Sequence, residues 1–269
     1  MANIKFLNED CLKTMQDMVD NGKKVDIILT SPPYNTGRTT QNQRSIDNYE
    51  NRYDIHLDNM TDDEYRDWTV KLFKMFDKIL KENCVVLYNI SYGNENPNIM
   101  WHIPNDIIEK TPFMIADRII WKKKSALPNN VSHNKLTRIV EDVFVICRKN
   151  EYKTFNTNKT VKSVSKTGQK YYENVFNFVD AKNNDGPSKL NKATYSSELC
   201  EKLLSLYAVG GEGYTVYDPF MGTGTTGIAC EKMGFDCIGS ELSPNQVEES
   251  IKRLNVFRNG RMPKQLTLF

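Results

Sequence analysis

Only three histidines occur in the 269 residues, and no two of the six cysteines form a Cys-x-x-Cys pair. The sequence therefore offers no zinc-site spacing and no disulfide framework. Cysteines 84, 147, 230 and 237 sit in or beside apolar stretches, where a thiol behaves as a small hydrophobe, and reduced thiols in a cytosolic protein are expected. No apolar run approaches the roughly 20 residues of a membrane span. The opening segment MANIKFLNED lacks the apolar core of a secretory signal. No internal repeat and no clean linker divide the chain, so residues 1–269 are read as a single domain. Its 39% hydrophobic and 26% charged residues exclude wholesale disorder. His56, His102 and His133 stand alone and read as local hydrogen-bonding groups.

A net charge of only +2 conceals a partition. Residues 118–192 carry 16 Lys+Arg against 6 Asp+Glu, whereas the remainder carries 20 against 28. No acid falls between Arg118 and Arg138. The pattern suits a polyanion-binding face on an acidic body; a solvated, lysine-rich surface insert is the alternative.

Short apolar runs at 25–29, 84–90, 115–121, 139–147, 214–217 and 235–239 predict buried strands. Between several of them lie helical patterns. Leu12, Met15 and Val19 share one face; Thr61 and Glu64 form a capping box before a stripe of Tyr65, Trp68, Leu72 and Phe76, which reads as core. Ser197 is expected to cap a further helix, and Ser243 another with Pro244 at its first position. Alternating strands and helices predict an α/β fold with a mostly parallel sheet and helices on both faces. The stretches 35–59, 122–137 and 148–192 break the pattern with long polar or basic sequence. Loops of that length are uncommon unless functional or disordered.

Two constellations carry chemistry. In the first, an apolar strand ends at Asp218, and Gly222-x-Gly224-x-x-Gly227 leads into a helix. Glycines allow a sharp turn and close approach of backbone to ligand, and Glu241, at the end of the next apolar run, stands where an acid meets ribose hydroxyls. No lysine follows, which excludes a phosphate-gripping loop. In the second, the strand at 25–29 runs through Thr30 into Ser31-Pro32-Pro33-Tyr34. Two prolines enforce a rigid, extended corner. A hydroxyl, fixed carbonyls and an aromatic plate at a strand's carboxyl end suit a flat heterocycle bearing an exocyclic amine. A diproline strand terminator and a tight strand-to-helix turn are the bland alternatives.

Ser31-Pro-Pro-Tyr34 resembles the catalytic motif of the S-adenosylmethionine-dependent DNA amino-methyltransferases, and Asp218-Pro-Phe-Met-Gly-Thr-Gly-Thr-Thr226 resembles their cofactor motif. Asn8-Glu-Asp10-Cys-Leu12 is similar to the segment whose Asp contacts the cofactor's adenine, with Glu9 in place of the usual glycine. Ile119-Ile-Trp121-Lys122 and Glu141-Asp-Val-Phe-Val145 extend the match. The catalytic motif precedes the cofactor motif, as in the beta-type arrangement. A His-Pro…Phe-Pro-Glu segment usual in that type is replaced by the stretch holding Tyr195.

The resemblance implies a Rossmann-like methyltransferase sheet. It implies catalytic Ser31, Pro32, Pro33 and Tyr34, and S-adenosylmethionine held by Asp10, Thr30, Tyr195, Asp218, Phe220, Gly222, Gly224, Thr225, Thr226 and Glu241. No metal is implied. Duplex DNA is the expected partner, its target base flipped onto Tyr34, with cytosine N4 slightly preferred over adenine N6 because the motif begins with Ser. C5-cytosine methylation is disfavoured, since no cysteine follows a proline. An RNA acceptor, a nucleotide-binding oxidoreductase and a non-catalytic DNA-binding module are the other readings. Lys122, Lys123, Lys124, Asn129 and Arg138 are expected to contact DNA, and residues at about 148–192 to form a target-recognition insert. A homodimer would match beta-type relatives. A tail at 258–269 ends in Gln265-Leu-Thr-Leu-Phe269, which resembles the peptide that docks bacterial replication proteins on the sliding clamp; packing into the chain's own core is the alternative. A cytoplasmic, bacterial or phage-encoded enzyme is the expected setting.

Overall fold

The computed structural model describes residues 2–35, 60–92, 96–126, 128–130, 133–186, 190–191, 193–210 and 213–260. Most of the polar stretch at 35–59, and the Gln265-Leu-Thr-Leu-Phe269 tail, lie outside the described residues. In chain order the elements are β1 (Ile4–Asn8), α1 (Cys11–Asp20), β2 (Ile27–Thr30), α2 (Asp62–Ile79), β3 (Val86–Ile90), α3 (Ile99–Lys110), β4 (Phe113–Lys123) and β5 (Val140–Arg148). They continue with β6 (Val161–Val164), β7 (Lys170–Tyr172), β8 (Phe178–Ala181), α4 (Ser197–Tyr207), β9 (Thr215–Asp218), α5 (Thr225–Met233), β10 (Asp236–Glu241) and α6 (Pro244–Arg258).

Eight strands form one sheet in the order β1-β10-β9-β2-β3-β5-β4-β8. Every neighbouring pair is parallel except the two made by β5, which runs against both β3 and β4. The predicted mostly parallel α/β sheet is therefore present. Its strands read as continuous apolar runs because both faces are covered. Residues of alternating parity feed two cores. Ile28, Val86, Tyr88, Phe144 and Tyr217 pack with α1, α2 and α3; Leu29, Leu87, Val143, Val145 and Val216 pack with α4 and α5.

The capping box at Thr61 and Glu64 is formed. The cap of α4 is Ser196 rather than the expected Ser197: the Ser196 hydroxyl accepts from the Leu199 N–H at 3.3 Å, and Ser197 is already helical. The stretch expected as an insert at about 148–192 divides in two. Residues 161–172 make an exposed two-stranded ribbon, β6–β7. Phe178–Ala181 instead adds an edge strand to the main sheet, with Val179 and Ala181 in its core. Among the described residues, no helix is long and apolar enough to cross a membrane, and no cluster of His, Cys, Asp and Glu could hold a metal ion.

Candidate active site

The carboxyl ends of β9, β10 and β2 converge, and there a cavity of about 270 Å³ opens between the two motifs. It is lined at one end by Asp10, Trp68, Phe220, Gly222, Thr225 and Glu241, and at the other by Ser31, Tyr34, Asn89, Trp121, Lys123 and Glu141. Asn191, Ala193, Thr194 and Tyr195 lie along it. The two constellations, remote in sequence, share one space.

Asp218 is the organiser of the first end rather than part of its wall. Its Oδ1 accepts from Thr30 at 2.8 Å and from the Phe220 N–H at 3.0 Å; its Oδ2 accepts from Thr226 at 2.6 Å and Tyr195 at 3.0 Å. Burial pushes the Asp218 carboxyl above its ordinary value, against those four donors. Thr30 and Thr226, both fully buried, serve this knot, and Gly224 turns the chain into α5 behind it. Burial, together with the Asp218 charge, pushes the Tyr195 phenol far up, which keeps it a donor.

Glu241 faces the cavity. Its Oε2 accepts from the Gly222 N–H at 3.1 Å and its Oε1 from the Ser243 N–H at 2.9 Å; burial raises its carboxyl. Gly222 is left-handed (φ 54°), and a Cβ there would meet Asn191 Nδ2 at 2.9 Å. Gly227 serves packing: a Cβ on it would stand 2.6 Å from Phe6, closing the contact of α5 with β1. Asp10 lines the cavity while its Oδ1 caps α1 at Leu12 N, 2.7 Å away. Glu9, the departure from the family pattern, turns aside to Thr14 at 2.8 Å and to Lys13.

At the second end, Ser31, Pro33 and Tyr34 line the cavity and Pro32 is buried behind them. Tyr65 of α2 donates to the Pro33 carbonyl at 2.6 Å, fixing the corner. Ser31 Oγ and the Tyr34 hydroxyl lie 2.8 Å apart; Tyr34 donates to Asn89 Oδ1 at 2.8 Å, with Glu141 Oε2 at 3.4 Å.

The residues expected to grip DNA are dispersed. Lys122 pairs with Asp180 at 3.0 Å and Lys124 with Glu198 at 2.7 Å. Lys123 enters the cavity, 2.6 Å from Glu141 and over the Trp121 ring. Asn129 Nδ2 binds the Lys135 carbonyl at 2.9 Å, closing its own loop. Arg138 reaches Ser91 Oγ at 3.2 Å and stacks 4.2 Å from the Tyr92 ring centroid.

Sequence reasoning missed Asn89, Glu141 and Gln246 as cavity residues and assigned Trp68 to the core. Trp68 does stack on Tyr65, with centroids 5.6 Å apart, but its other side meets Phe220 at 5.5 Å on the cavity wall. Its place at the start of an amphipathic helix gave no separate signal.

A model of the DNA methylase family matches residues 25–252. The chain is 23% identical over 288 residues to the type II methyltransferase M.BglII of Bacillus subtilis, covering 98% of this chain and 73% of that protein. It is 23% identical over 282 residues to M.MjaI of Methanocaldococcus jannaschii, covering 93% and 91%. Among solved structures, the cytosine-N4-specific PvuII DNA methyltransferase superposes with a TM-score of 0.67 at 17% identity, over 94% of this chain and 86% of that one. M1.HpyAVI gives 0.61 at 22% identity, over 94% and 98%. At such identities the structural likeness is one of fold.

Proposed function

This chain belongs to the DNA methylase family of S-adenosylmethionine-dependent amino-methyltransferases, and on that premise we propose that it methylates the exocyclic amine of a flipped base in duplex DNA, at cytosine N4 in preference to adenine N6. One observation carries the reading. The Ser31–Tyr34 corner and the Gly222–Glu241 loop open into the same cavity.

The residues present fit the cofactor. The glycine turn at Gly222 on the cavity wall, a half-buried carboxyl at Glu241 and the Trp68–Phe220 pair match a close-approaching chain, ribose hydroxyls and a flat heterocycle. Asp10, Phe220, Gly222, Thr225, Tyr195 and Glu241 would hold it, while Thr30, Asp218, Gly224 and Thr226 shape the loop. Bound S-adenosylmethionine supplies a methyl group on a sulfonium. The protein's own work is positioning and electrostatics. Ser31 Oγ and the Pro32 carbonyl accept the amine's N–H groups, favouring a pyramidal nitrogen whose lone pair is no longer shared with the ring. Tyr34 supplies the stacking plate for the flipped base.

A hydroxyl at the first motif position favours cytosine; adenine N6 is the second reading, since a hydroxyl accepts from either amine. The β6–β7 ribbon, with Asn129 and Arg138, is proposed to approach the duplex, in a cytoplasmic setting; Lys122 and Lys124, held by Asp180 and Glu198, contribute less to that contact. Mass spectrometry of nucleosides from DNA treated with the enzyme is expected to show N4-methylcytosine. N6-methyladenine alone would reverse the choice of base, and no methylated nucleoside would sink the reading.

A further inference from the structure

Methylation of an amine leaves one proton too many on the nitrogen. The N–C bond forms as the C–S bond breaks, the C–S pair stays with sulfur, and the nitrogen becomes cationic until a proton departs. Many motifs of this kind begin with a carboxylate; this one begins with Ser31, whose hydroxyl can pass a proton along but cannot keep it.

The structure supplies an exit. Ser31 Oγ lies 2.8 Å from the Tyr34 hydroxyl, and that hydroxyl faces two acceptors: Asn89 Oδ1 at 2.8 Å and Glu141 Oε2 at 3.4 Å. An amide oxygen is far too weak a base to take the proton; a carboxylate is the stronger proton acceptor of the two. The cavity's other carboxylates are engaged at the cofactor end: Glu9 with Thr14 and Lys13, Asp10 at the cap of α1, and Glu241 with the Gly222 and Ser243 N–H groups.

Topology explains how Glu141 gets there. It is the second residue of β5, the one reversed strand of the main sheet among the described residues, so the start of β5 meets the carboxyl ends of β3 and β4. Parity then puts Glu141 on the face of Val143 and Val145, with Asn89 beyond Leu87 and Lys123 beyond Trp121. Among the described residues, the groups facing Glu141 are few. Lys123 comes from β4 and fixes Oε1 at 2.6 Å, leaving Oε2 toward the phenol; Tyr34 comes from the corner after β2, and uncharged Asn89 from β3. Asp142 belongs to the opposite face with Arg118; Lys122 and Lys124 are paired with Asp180 and Glu198.

We propose that Glu141 receives the proton shed by the methylated amine, through a relay of the Ser31 and Tyr34 hydroxyls. This rests on the amino-methyltransferase reading. The proton passes from nitrogen to Ser31 Oγ as the Ser31 proton moves to the Tyr34 oxygen and the Tyr34 proton to Glu141 Oε2. Both hydroxyls end neutral, and the charges on nitrogen and Glu141 cancel. Glu141 touches no reacting atom; it is a positioning and proton-accepting residue that acts through Tyr34.

The test is single-turnover methylation of saturating DNA from about pH 5 to 9 with wild type, Glu141→Gln, Glu141→Asp and Tyr34→Phe. Glu141→Gln and Tyr34→Phe are expected to be slower by about 10²-fold at neutral pH and to lose the acid limb of the wild-type profile, with Glu141→Asp recovering both in part. Cofactor affinity and the fluorescence of 2-aminopurine at the target position are expected to stay within about twofold in every variant, since the relay acts after binding and flipping. A Glu141→Gln enzyme with wild-type rate and profile overturns the proposal. So does a loss of rate that is the same at every pH, which would make Glu141 only a prop for Tyr34. Tyr34→Phe keeps the ring, so it decides the matter if Glu141→Gln does not fold. Failure of the wild type to methylate any duplex sinks the underlying reading instead.

Discussion

The Tyr195 hydroxyl donates to Asp218 Oδ2 at 3.0 Å and lies 2.6 Å from Thr226 Oγ1, which binds the same carboxylate oxygen. Three segments, from the cavity's rim, the end of β9 and the start of α5, are thereby tied at one buried carboxylate. Asp218→Ala is expected to leave three buried hydroxyls and the Phe220 N–H short of an acceptor, costing roughly 2–4 kcal/mol of stability. Affinity for S-adenosylhomocysteine should fall with it, because Phe220 loses its anchor. Urea unfolding and calorimetry measure the two; unchanged values in both would remove Asp218 from the organising role.

Glu241 and Glu198 should shift stability with pH in opposite senses. Burial raises the Glu241 carboxyl above its ordinary 4.5, so the folded protein holds that proton more tightly than the unfolded chain does. Its stabilising contribution is complete below 4.5 and is lost as pH rises through the folded value. Burial alone would raise Glu198 too, but Lys124, the Lys182 N–H and Lys202 outweigh it and bring the carboxyl down to about 2. Its contribution is present above 4.5 and vanishes as pH falls toward 2. Unfolding across that range should show Glu198→Gln less stable than wild type at neutral pH and equal to it near the acid end. Above pH 4.5, Glu241→Gln should lack part of the wild-type decline. Parallel curves would contradict both signs.

Trp68 stands against Phe220 on the cofactor side of the cavity. Adding S-adenosylhomocysteine should therefore change tryptophan fluorescence, and Trp68→Phe should remove most of that change while weakening affinity by about 1 kcal/mol. A signal undiminished in the variant would assign it to Trp121, which also lines the cavity.

The lysines of the basic region should differ in their effect on DNA binding. Each full phosphate contact contributes a slope of about −0.9 in log K against log salt. Lys122 and Lys124 already hold Asp180 and Glu198, so replacing both with Ala should change the slope by less than about one. Lys159, Lys162, Lys166 and Lys170 are exposed on or beside the β6–β7 ribbon, and replacing all four should flatten it by about two or more. Filter binding at several salt concentrations measures the slope. The reverse ranking would place the duplex against β4.

Both motif loops were legible in the sequence because their chemistry is local. Two prolines dictate a corner at Ser31–Tyr34 wherever it stands, and the turn at Gly222 takes a left-handed φ of 54°, which glycine adopts freely. The central strands were legible for a similar reason: burial on both faces leaves unbroken apolar runs at β2, β3 and β5. Elements with weaker local signals were not read. β1 lies at the sheet's edge with none of its residues buried, α3 carries Pro104 in its interior, and β8 sits inside a polar stretch.

The sequence by itself determined the kind of sheet, the two loops and the chemistry each could serve. Only the tertiary structure decided which carboxylate serves which loop. Asp218, read as a ligand-binding acid, is consumed by four internal donors, and Lys123, read as a phosphate contact, points into the cavity beside Glu141. Glu141 carries no local mark of its position. It reaches Tyr34 because β5 runs opposite to its neighbours, and strand direction is set by which long-range pairing buries most, not by any residue in the strand.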